Sequence, residues 1–327
     1  MAKIAIIGAG ISGLVVARQL KDIADISIFE KARGVGGRMS TRYADPYQFD
    51  HGAQSFTART GAFQSFLKPY IDAGHVEDWT PKILTLEAGQ KPYKRDWFEP
   101  HYVGVPKMNS LCKAMADGLN VQYQTRIETV TYDAQSNHHT LTTTDGQTHQ
   151  FDWVISTAPP IQTLGLLPDN FVHRGDIQNH SMKGCFTLML GFDQRLKVNW
   201  DAASVKNSCL EWLAFTDSKP GRDISCSLII HSTNDWAEEN IDRPIEDIQA
   251  EMLKAFQDVS GVTTTPDFIT THRWRYAYSG ASQTGNTYYL DEQCQFGVCG
   301  DWCIAGRVEA AFTSANELST HLKRILI

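Results

Sequence analysis

Several stretches of this chain combine glycine spacing, charge and aromatic side chains in ways that suit binding of a phosphorylated, planar ligand. Gly8-Ala9-Gly10-Ile11-Ser12-Gly13 spaces its glycines as G-x-G-x-x-G. The first glycine permits a tight turn, the second admits a pyrophosphate to a helix N-terminus, and Gly13 lets helix and strand pack closely. Glu30 follows at about the 20-residue distance at which an acid meets ribose hydroxyls, and its charge would clash with a 2′-phosphate. In Lys31-Ala32-Arg33-Gly34-Val35-Gly36-Gly37-Arg38, the amides freed by Gly36 and Gly37 and the arginine at the end suit the same anion. Taken alone, that stretch reads equally well as a flexible basic loop. Further on, His231 ends an apolar run, Trp274-Arg275-Tyr276 ends another, and Trp302 follows a Gly300-Asp301 turn. Together they offer aromatic faces and hydrogen-bond donors to a planar ligand. Against that stands packing, the commoner role of a strand histidine or a tryptophan.

Positioning these residues requires a strand at Lys3–Ile7, a helix whose apolar face is Ile11, Leu14, Val15 and Leu20, and a second strand at Ile26–Phe29. The middle of the chain is mixed. Helices are predicted over Phe63–Ala73 and Lys107–Gly118, and strands over Gln122–Tyr132, Thr140–Thr144 and Gln150–Ser156, with Asp145-Gly146 as a hairpin turn. Strands then follow at Cys185–Phe192, Ile224–His231 and Phe268–Tyr276, with a helix over Pro244–Phe256. Phe296–Cys299 and a helix from about Arg307, with Val308, Ala311, Phe312, Ala315, Leu318 and Leu322 inward, close the chain. The expected fold class is α/β: a doubly wound, Rossmann-like nucleotide domain formed by residues 1–58, 106–165 and 292–327. Into it is inserted an α+β substrate domain on a mostly antiparallel sheet, residues 59–105 and 166–291.

Composition excludes several alternatives. At 327 residues and 42% hydrophobic content the chain can bury a large core. Thirty basic against 37 acidic residues, a net charge of −7 and no basic run argue against nucleic acid. Residues 4–17 are apolar but broken by Gly8, Gly10, Ser12 and Gly13, short of the roughly 18 residues of a membrane span. Lys3 before Ile4–Ile7 imitates a signal peptide, yet the glycine turn explains the same letters better. Seven cysteines, odd in number and irregular in spacing, suit reduced thiols in a cytoplasm. Cys299 and Cys303 match neither a redox nor a zinc spacing, and His138-His139 reads as a solvated turn, so no metal is expected. Ser55, Ser156 and Ser279 lack the nucleophile elbow of a hydrolase. No second G-x-G-x-x-G followed by its own helix exists to bind a second dinucleotide in the manner of a pyridine-nucleotide reductase.

The order G-x-G-x-x-G, Glu30, G-x-G-G-R and a late Gly-Asp before the last helix resembles the flavin amine oxidase superfamily. Within it the chain is similar to the renalase type, bacterial members above all. That likeness is carried by Phe49-Asp50-His51-Gly52-Ala53-Gln54, Ser156-Thr157-Ala158-Pro159-Pro160, Trp212-Leu213-Ala214, Lys219-Pro220-Gly221-Arg222-Asp223, His272-Arg273-Trp274-Arg275-Tyr276-Ala277 and Val298 through Glu309. The resemblance implies non-covalent FAD. Gly8, Gly10, Ile11, Ser12, Gly13, Glu30, Lys31, Gly36, Gly37 and Arg38 would surround its ADP half, and Ile127 would offer backbone groups to adenine. Asp301 would hold the ribityl chain, and the amides near Val308 and Glu309 would face the N1–C2=O edge of the flavin. Gln54, Thr157, Ala158, Gly300 and Arg307 complete that implied shell.

Renalase-type enzymes oxidise the 2- and 6-dihydro isomers of NAD(P)H to NAD(P)+, passing hydride to flavin N5, with O2 as acceptor and hydrogen peroxide as product. Such a reaction needs positioning and water exclusion rather than a general base. The resemblance makes His231, Trp274, Arg275, Tyr276 and Trp302 the substrate-positioning residues. Two departures from amine oxidases count against an amine substrate: Arg307 stands where an aromatic cage residue falls, and no lysine can be assigned to the neighbourhood of flavin N5. A flavin-dependent amine or other small-molecule oxidase is the second reading, and a non-catalytic FAD-binding protein the third.

Overall fold

The structure, a computed structural model, describes residues 1–222 and 226–327. Asp223 and Ile224, part of one quoted motif and of one expected strand, lie outside the described residues. The chain divides into two compact units, one formed by residues 1–37, 112–182 and 279–327, the other by residues 38–111 and 183–278. The expected limits lie elsewhere. Residues 38–58 join the second unit because Tyr47 and Phe49 bury against Met189, Ile229 and Phe268.

The first unit holds a six-stranded sheet in the order Tyr289–Asp291, Phe296–Val298, Trp153–Ser156, Ala2–Ile7, Ala24–Phe29, Val121–Gln122. All neighbours are parallel except the first pair. Ala2–Ile7 passes through Gly8, at φ +107°, into the helix Ile11–Leu20. A Cβ on Gly13 would stand 2.0 Å from the Gly8 carbonyl oxygen, so the turn closes only over glycine. The last helix, Val308–Leu326, packs on the first, where the Ser12 hydroxyl donates to the Ala311 carbonyl (3.0 Å).

Two expected strands each prove to be two. Gln122–Tyr132 breaks at Gln124, whose φ of +55° ends the edge strand Val121–Gln122 before Ile127–Asp133 enters a separate three-stranded sheet. Gln150–Ser156 breaks at Asp152, whose N–H donates to Lys3. Thr148–Phe151 and Trp153–Ser156 therefore serve different sheets. Asp145-Gly146 does form the expected turn, with Gly146 at φ +82°.

The second unit is built on a seven-stranded sheet in the order Phe268–Tyr278, Lys183–Phe192, Cys226–Ser232, Leu210–Phe215, Ala202–Val205, Ile83–Leu86, Tyr93–Lys94. It is antiparallel apart from the pairing of Ala202–Val205 with Ile83–Leu86. The helix Ile245–Ser260 buries Ile248, Met252 and Phe256, spaced four apart and so on one face. Each contributes about 1.5–3 kcal/mol of apolar burial. Gly261, left-handed at φ +70°, ends the helix. Among the described residues no helix is long and apolar enough to cross a membrane.

Two of the three motif glycines, Gly10 and Gly13, should respond differently to a methyl group. Gly13→Ala is expected to cost about 2 kcal/mol or more. Gly10→Ala, where an added Cβ meets nothing within 4 Å at an ordinary φ of −76°, should unfold close to wild type. Thermal unfolding of the flavin-stripped proteins checks this, and equal midpoints for the two variants would contradict it.

Candidate active site

In the first unit, the residues around the opening turn form an anion cradle. No side chain caps the helix Ile11–Leu20, so its first amides, from Ile11, Ser12 and Gly13, point outward as donors. Gly37, at φ +53°, brings the second glycine turn against the first, since a Cβ there would lie 3.6 Å from Gly10 Cα. The Gly36 amide also donates to the Ala9 carbonyl (2.9 Å). Glu30 is buried. Its carboxylate accepts from the Ala9 amide and the Ala32 amide, both at 2.8 Å, and each oxygen keeps a second lone pair for a ribose hydroxyl.

The rest of the implied shell in this unit is arranged as follows. Lys31 is exposed and donates to Gln162 (3.5 Å). The Thr157 hydroxyl donates to Ile7 (2.9 Å) and Gly8 (3.3 Å), fastening the turn from behind. The Ala158 carbonyl accepts from Thr163 and from the Trp302 indole, both at 3.1 Å. Ile127 opens its strand at a register irregularity. The Gly300 amide donates to the Ser314 hydroxyl (3.0 Å). Asp301 is buried, and its carbonyl accepts from Ile304 and Ala305. Arg307 is exposed at the N-cap of the last helix, which no side chain caps. Val308 and Glu309 form the first turn of that helix, and their amides carry the positive end of its dipole.

Three implied residues stand elsewhere than expected. Trp302 is a core residue of the first unit: it is 1% exposed, stacks on Tyr289 at 6.2 Å and meets the edge of His180 at 4.9 Å. Arg38 begins the second unit, where its guanidinium donates to Ala277 (3.2 Å). Gln54 also belongs to the second unit, and both ends of its amide are engaged, with the Asp50 and Gly52 carbonyls and with Lys219.

The second unit contains a polar cluster that the residue spacing did not reveal. Neighbouring strands align His272, Thr187, His231 and Trp212 in one row across the sheet. His51 lies against it. Its carbonyl oxygen accepts from the Thr187 hydroxyl (2.9 Å) and the Trp274 indole (3.0 Å), with His231 Nε2 at 3.4 Å. A carbonyl only accepts, so the His231 contact requires the proton on Nε2. The His51 ring packs 5.0 Å from both His272 and Trp274. Burial first, and neighbouring positive charge second, push His51 down to about 4. His231 and His272 reach about 4 for the same leading reason. All three imidazoles are therefore neutral at pH 7.

Alternation along Phe268–Tyr278 explains a further correction. His272 and Trp274 face His51, whereas Arg273 and Arg275 leave the opposite side of the strand. Arg273 donates to the Arg243 carbonyl and lies over the Phe186 ring. Arg275, 48% exposed, pairs with Asp242 (2.8 Å), so it does not join Trp274. Tyr276 is half-buried with no hydrogen-bond partner among the described residues. His138-His139 is not a solvated turn either: it lies on a strand, with His139 fully buried and its Nε2 2.8 Å from the Cys294 carbonyl.

Beside the row lies a buried ion cluster. The Asp50 carboxylate accepts from the Thr41 hydroxyl (2.7 Å), the Met108 amide (3.1 Å), Arg222 (2.7 Å) and Lys219 (3.5 Å). Side-chain exposure is 0% for Asp50 and Lys219 and 2% for Arg222. Burial alone would raise the Asp50 pKa, but Lys219, then Arg222, outweigh it and bring it to about 2. Desolvation lowers Lys219 to about 8, while its ammonium also lies 5.3 Å from the centre of the Trp79 ring. A lysine thus does fold into a buried position, which the sequence left unassigned.

These features accord with the comparisons to known proteins. A family model of flavin containing amine oxidoreductases matches residues 86–319, and one of NAD(P)-binding Rossmann-like domains matches residues 6–70. The chain is 22% identical to mouse (Mus musculus) renalase over 350 residues, covering all of both proteins. Its fold is similar to that of a putrescine oxidase bound to putrescine (TM-score 0.78, 12% identity, 99% of both chains). It is also similar to that of cyclohexylamine oxidase from Brevibacterium oxydans (TM-score 0.73, 11% identity, 98% of this chain and 99% of the other). FAD is the cofactor, and the cradle suits it: uncapped helix amides for its pyrophosphate and a buried acid for its adenosine ribose.

Removing one side of the ion cluster should be far costlier than breaking the exposed pair. Asp50→Ala leaves two cations buried and is expected to cost about 3–5 kcal/mol, by the usual price of a broken buried pair. Arg275→Ala should cost no more than about 1 kcal/mol. Urea unfolding checks both. A second expectation concerns pH. The three imidazoles titrate near 4 when folded and near their ordinary 6.5 when unfolded, so the unfolded state binds more protons between those values. The contribution of these imidazoles should be full above about pH 6.5 and fall as pH drops toward 4, with the Asp50 contribution lost lower still, between about 4 and 2. His272→Asn should flatten the upper part of that fall, and an unchanged slope would contradict this assignment.

Proposed function

The chain belongs to the family of flavin containing amine oxidoreductases, and on that basis we propose that it is an oxidase converting the 2- and 6-dihydro isomers of NAD(P)H to NAD(P)+. The observation that carries this reading is the charge and shape of the polar row. Its imidazoles are neutral at pH 7, and indole and imidazole faces are held rigidly around one carbonyl oxygen. The carboxylate next to His51 in the chain, that of Asp50, is already engaged by two cations. Such a surface suits an uncharged planar ring and holds no unpaired carboxylate for a protonated amine.

Trp274, only partly buried, presents a flat face to the dihydropyridine, with the buried His51 ring packed against it. Tyr276 and His272, on the same strand, have polar atoms that can meet its carboxamide. Bound FAD supplies the two-electron acceptor, with O2 taking the electrons onward to hydrogen peroxide. No side chain has to remove a proton, because the dihydropyridine becomes aromatic as its own ring nitrogen pushes the electrons out. The residues therefore orient the ring and keep water away. In the first unit, the amides at Val308 and Glu309 and the dipole of the last helix favour negative charge on the flavin. A cytoplasmic setting goes with this reading, since all seven cysteines are free thiols.

One observation favours the second reading, an amine or other small-molecule oxidase. Lys219 is buried with its pKa near 8, as the lysine that amine oxidases keep beside their flavin would be. Anaerobic mixing of the yellow protein with 2- or 6-dihydroNAD, ordinary NADH and a panel of amines separates the possibilities. Rapid bleaching near 450 nm, an approximate property of flavin, is expected with the dihydro isomers. Bleaching by an amine alone would overturn the proposal, and bleaching by nothing would leave an FAD-binding protein without this chemistry.

A further inference from the structure

Resting on the dihydronicotinamide reading, one further residue acquires a role. Strands Arg42–Ala44 and Tyr47–Phe49 form a hairpin in which Arg42 stands directly opposite Phe49, so the two side chains leave the same face. Phe49 stacks on Phe268 at 5.5 Å. Phe268, His272 and Trp274 share one face of their strand, being spaced by even numbers. Two residues beyond Phe49, His51 packs on His272 and Trp274. The Arg42 guanidinium thus leaves the hairpin on the side that carries the imidazole and indole rings. Its positive charge is felt there, since it opposes protonation of both His51 and His272.

Most other arginines of this unit are engaged by carboxylates. Arg59, Arg195, Arg222, Arg243 and Arg275 each hold a carboxylate. The Arg42 side chain makes no ion pair or hydrogen bond among the described residues and is exposed. A planar fork of donors beside a neutral aromatic surface matches a ligand that joins an uncharged ring to a phosphate oxyanion.

We propose that Arg42 is the phosphate-recognising residue of the substrate face, its guanidinium taking the pyrophosphate of a dihydronicotinamide dinucleotide whose ring lies on Trp274. Pyrophosphate chemistry has two sources in this enzyme, substrate and FAD, and the assignment is to the substrate.

The test uses the FAD-loaded enzyme and its Arg42→Ala and Arg42→Lys variants. Flavin bleaching is followed against concentration of 6-dihydroNAD and of the corresponding dihydronicotinamide riboside, which carries no phosphate. Arg42→Ala is expected to retain FAD and to need about tenfold or more dinucleotide for half-saturation, the usual scale of a lost charge-assisted contact. Its limiting rate should fall far less, the riboside should shift little, and Arg42→Lys should recover part of the loss. Loss of flavin from Arg42→Ala would assign the phosphate to the cofactor, and equal weakening of riboside and dinucleotide would remove phosphate recognition; either overturns the proposal. Failure of the underlying reading is separable, because ADP-ribose has the pyrophosphate without the reacting ring. If no dihydro isomer bleaches the wild type, calorimetry with ADP-ribose decides: weaker binding to Arg42→Ala upholds the assignment, and equal or absent binding overturns it.

Discussion

The second unit depends on the carboxylate of Asp50 being buried with two cations around it. Desolvating a carboxylate, an ammonium and a guanidinium is costly, and the arrangement persists only because each member is paired and further hydrogen-bonded. Thr41, Met108, Lys219 and Arg222 reach one carboxylate from three separate stretches of chain. Arg222 extends the tie to the Gly104 carbonyl at 2.8 Å. The next residue after Asp50 is His51, whose peptide oxygen gathers Thr187 and Trp274. A fixed charge thus anchors the backbone against which a row of neutral polar and aromatic side chains is packed.

The first unit solves a different problem with sterics. Its cradle requires backbone to approach backbone and leave amides unspent, and the residues that permit this have no side chain to remove. Gly13 meets the Gly8 oxygen and Gly37 meets Gly10. Glu30 then adds a single buried acid whose own hydrogen bonds hold both turns in place. Cofactor affinity and local folding consequently share the same few residues.

That contrast explains what could be read from the chain alone. The opening turn, its acid and the last helix are local features, set by glycine sterics and by the period of apolar residues, and they were legible; the flavin came from the family resemblance that their order carries. The ion cluster joins Asp50 to Lys219 across 169 positions, and no local pattern reports such a pairing. The row of His272, Thr187 and His231 left a trace, a polar residue within each of three apolar strands, but strand register decides that they meet. Arg275 went astray because adjacent residues in a strand face opposite ways. Trp302 went astray because a tryptophan beside a functional turn reads the same whether it lines a site or supports it. The broken strands at Gln124 and Asp152 hinge on single backbone conformations within otherwise strand-like sequence.

The cysteines carry a consequence for durability. Burial pushes the thiols of Cys112, Cys185 and Cys294 up to about 12 and those of Cys299 and Cys303 higher still. Oxidants attack the thiolate, and at pH 7 a thiol titrating near 12 is ionised in only about one molecule in 10⁵. Among these residues, then, the interior presents almost no nucleophilic sulfur to a reactive oxygen species. Were the proposed oxidase reaction to release hydrogen peroxide, these thiols would offer it almost no thiolate to attack.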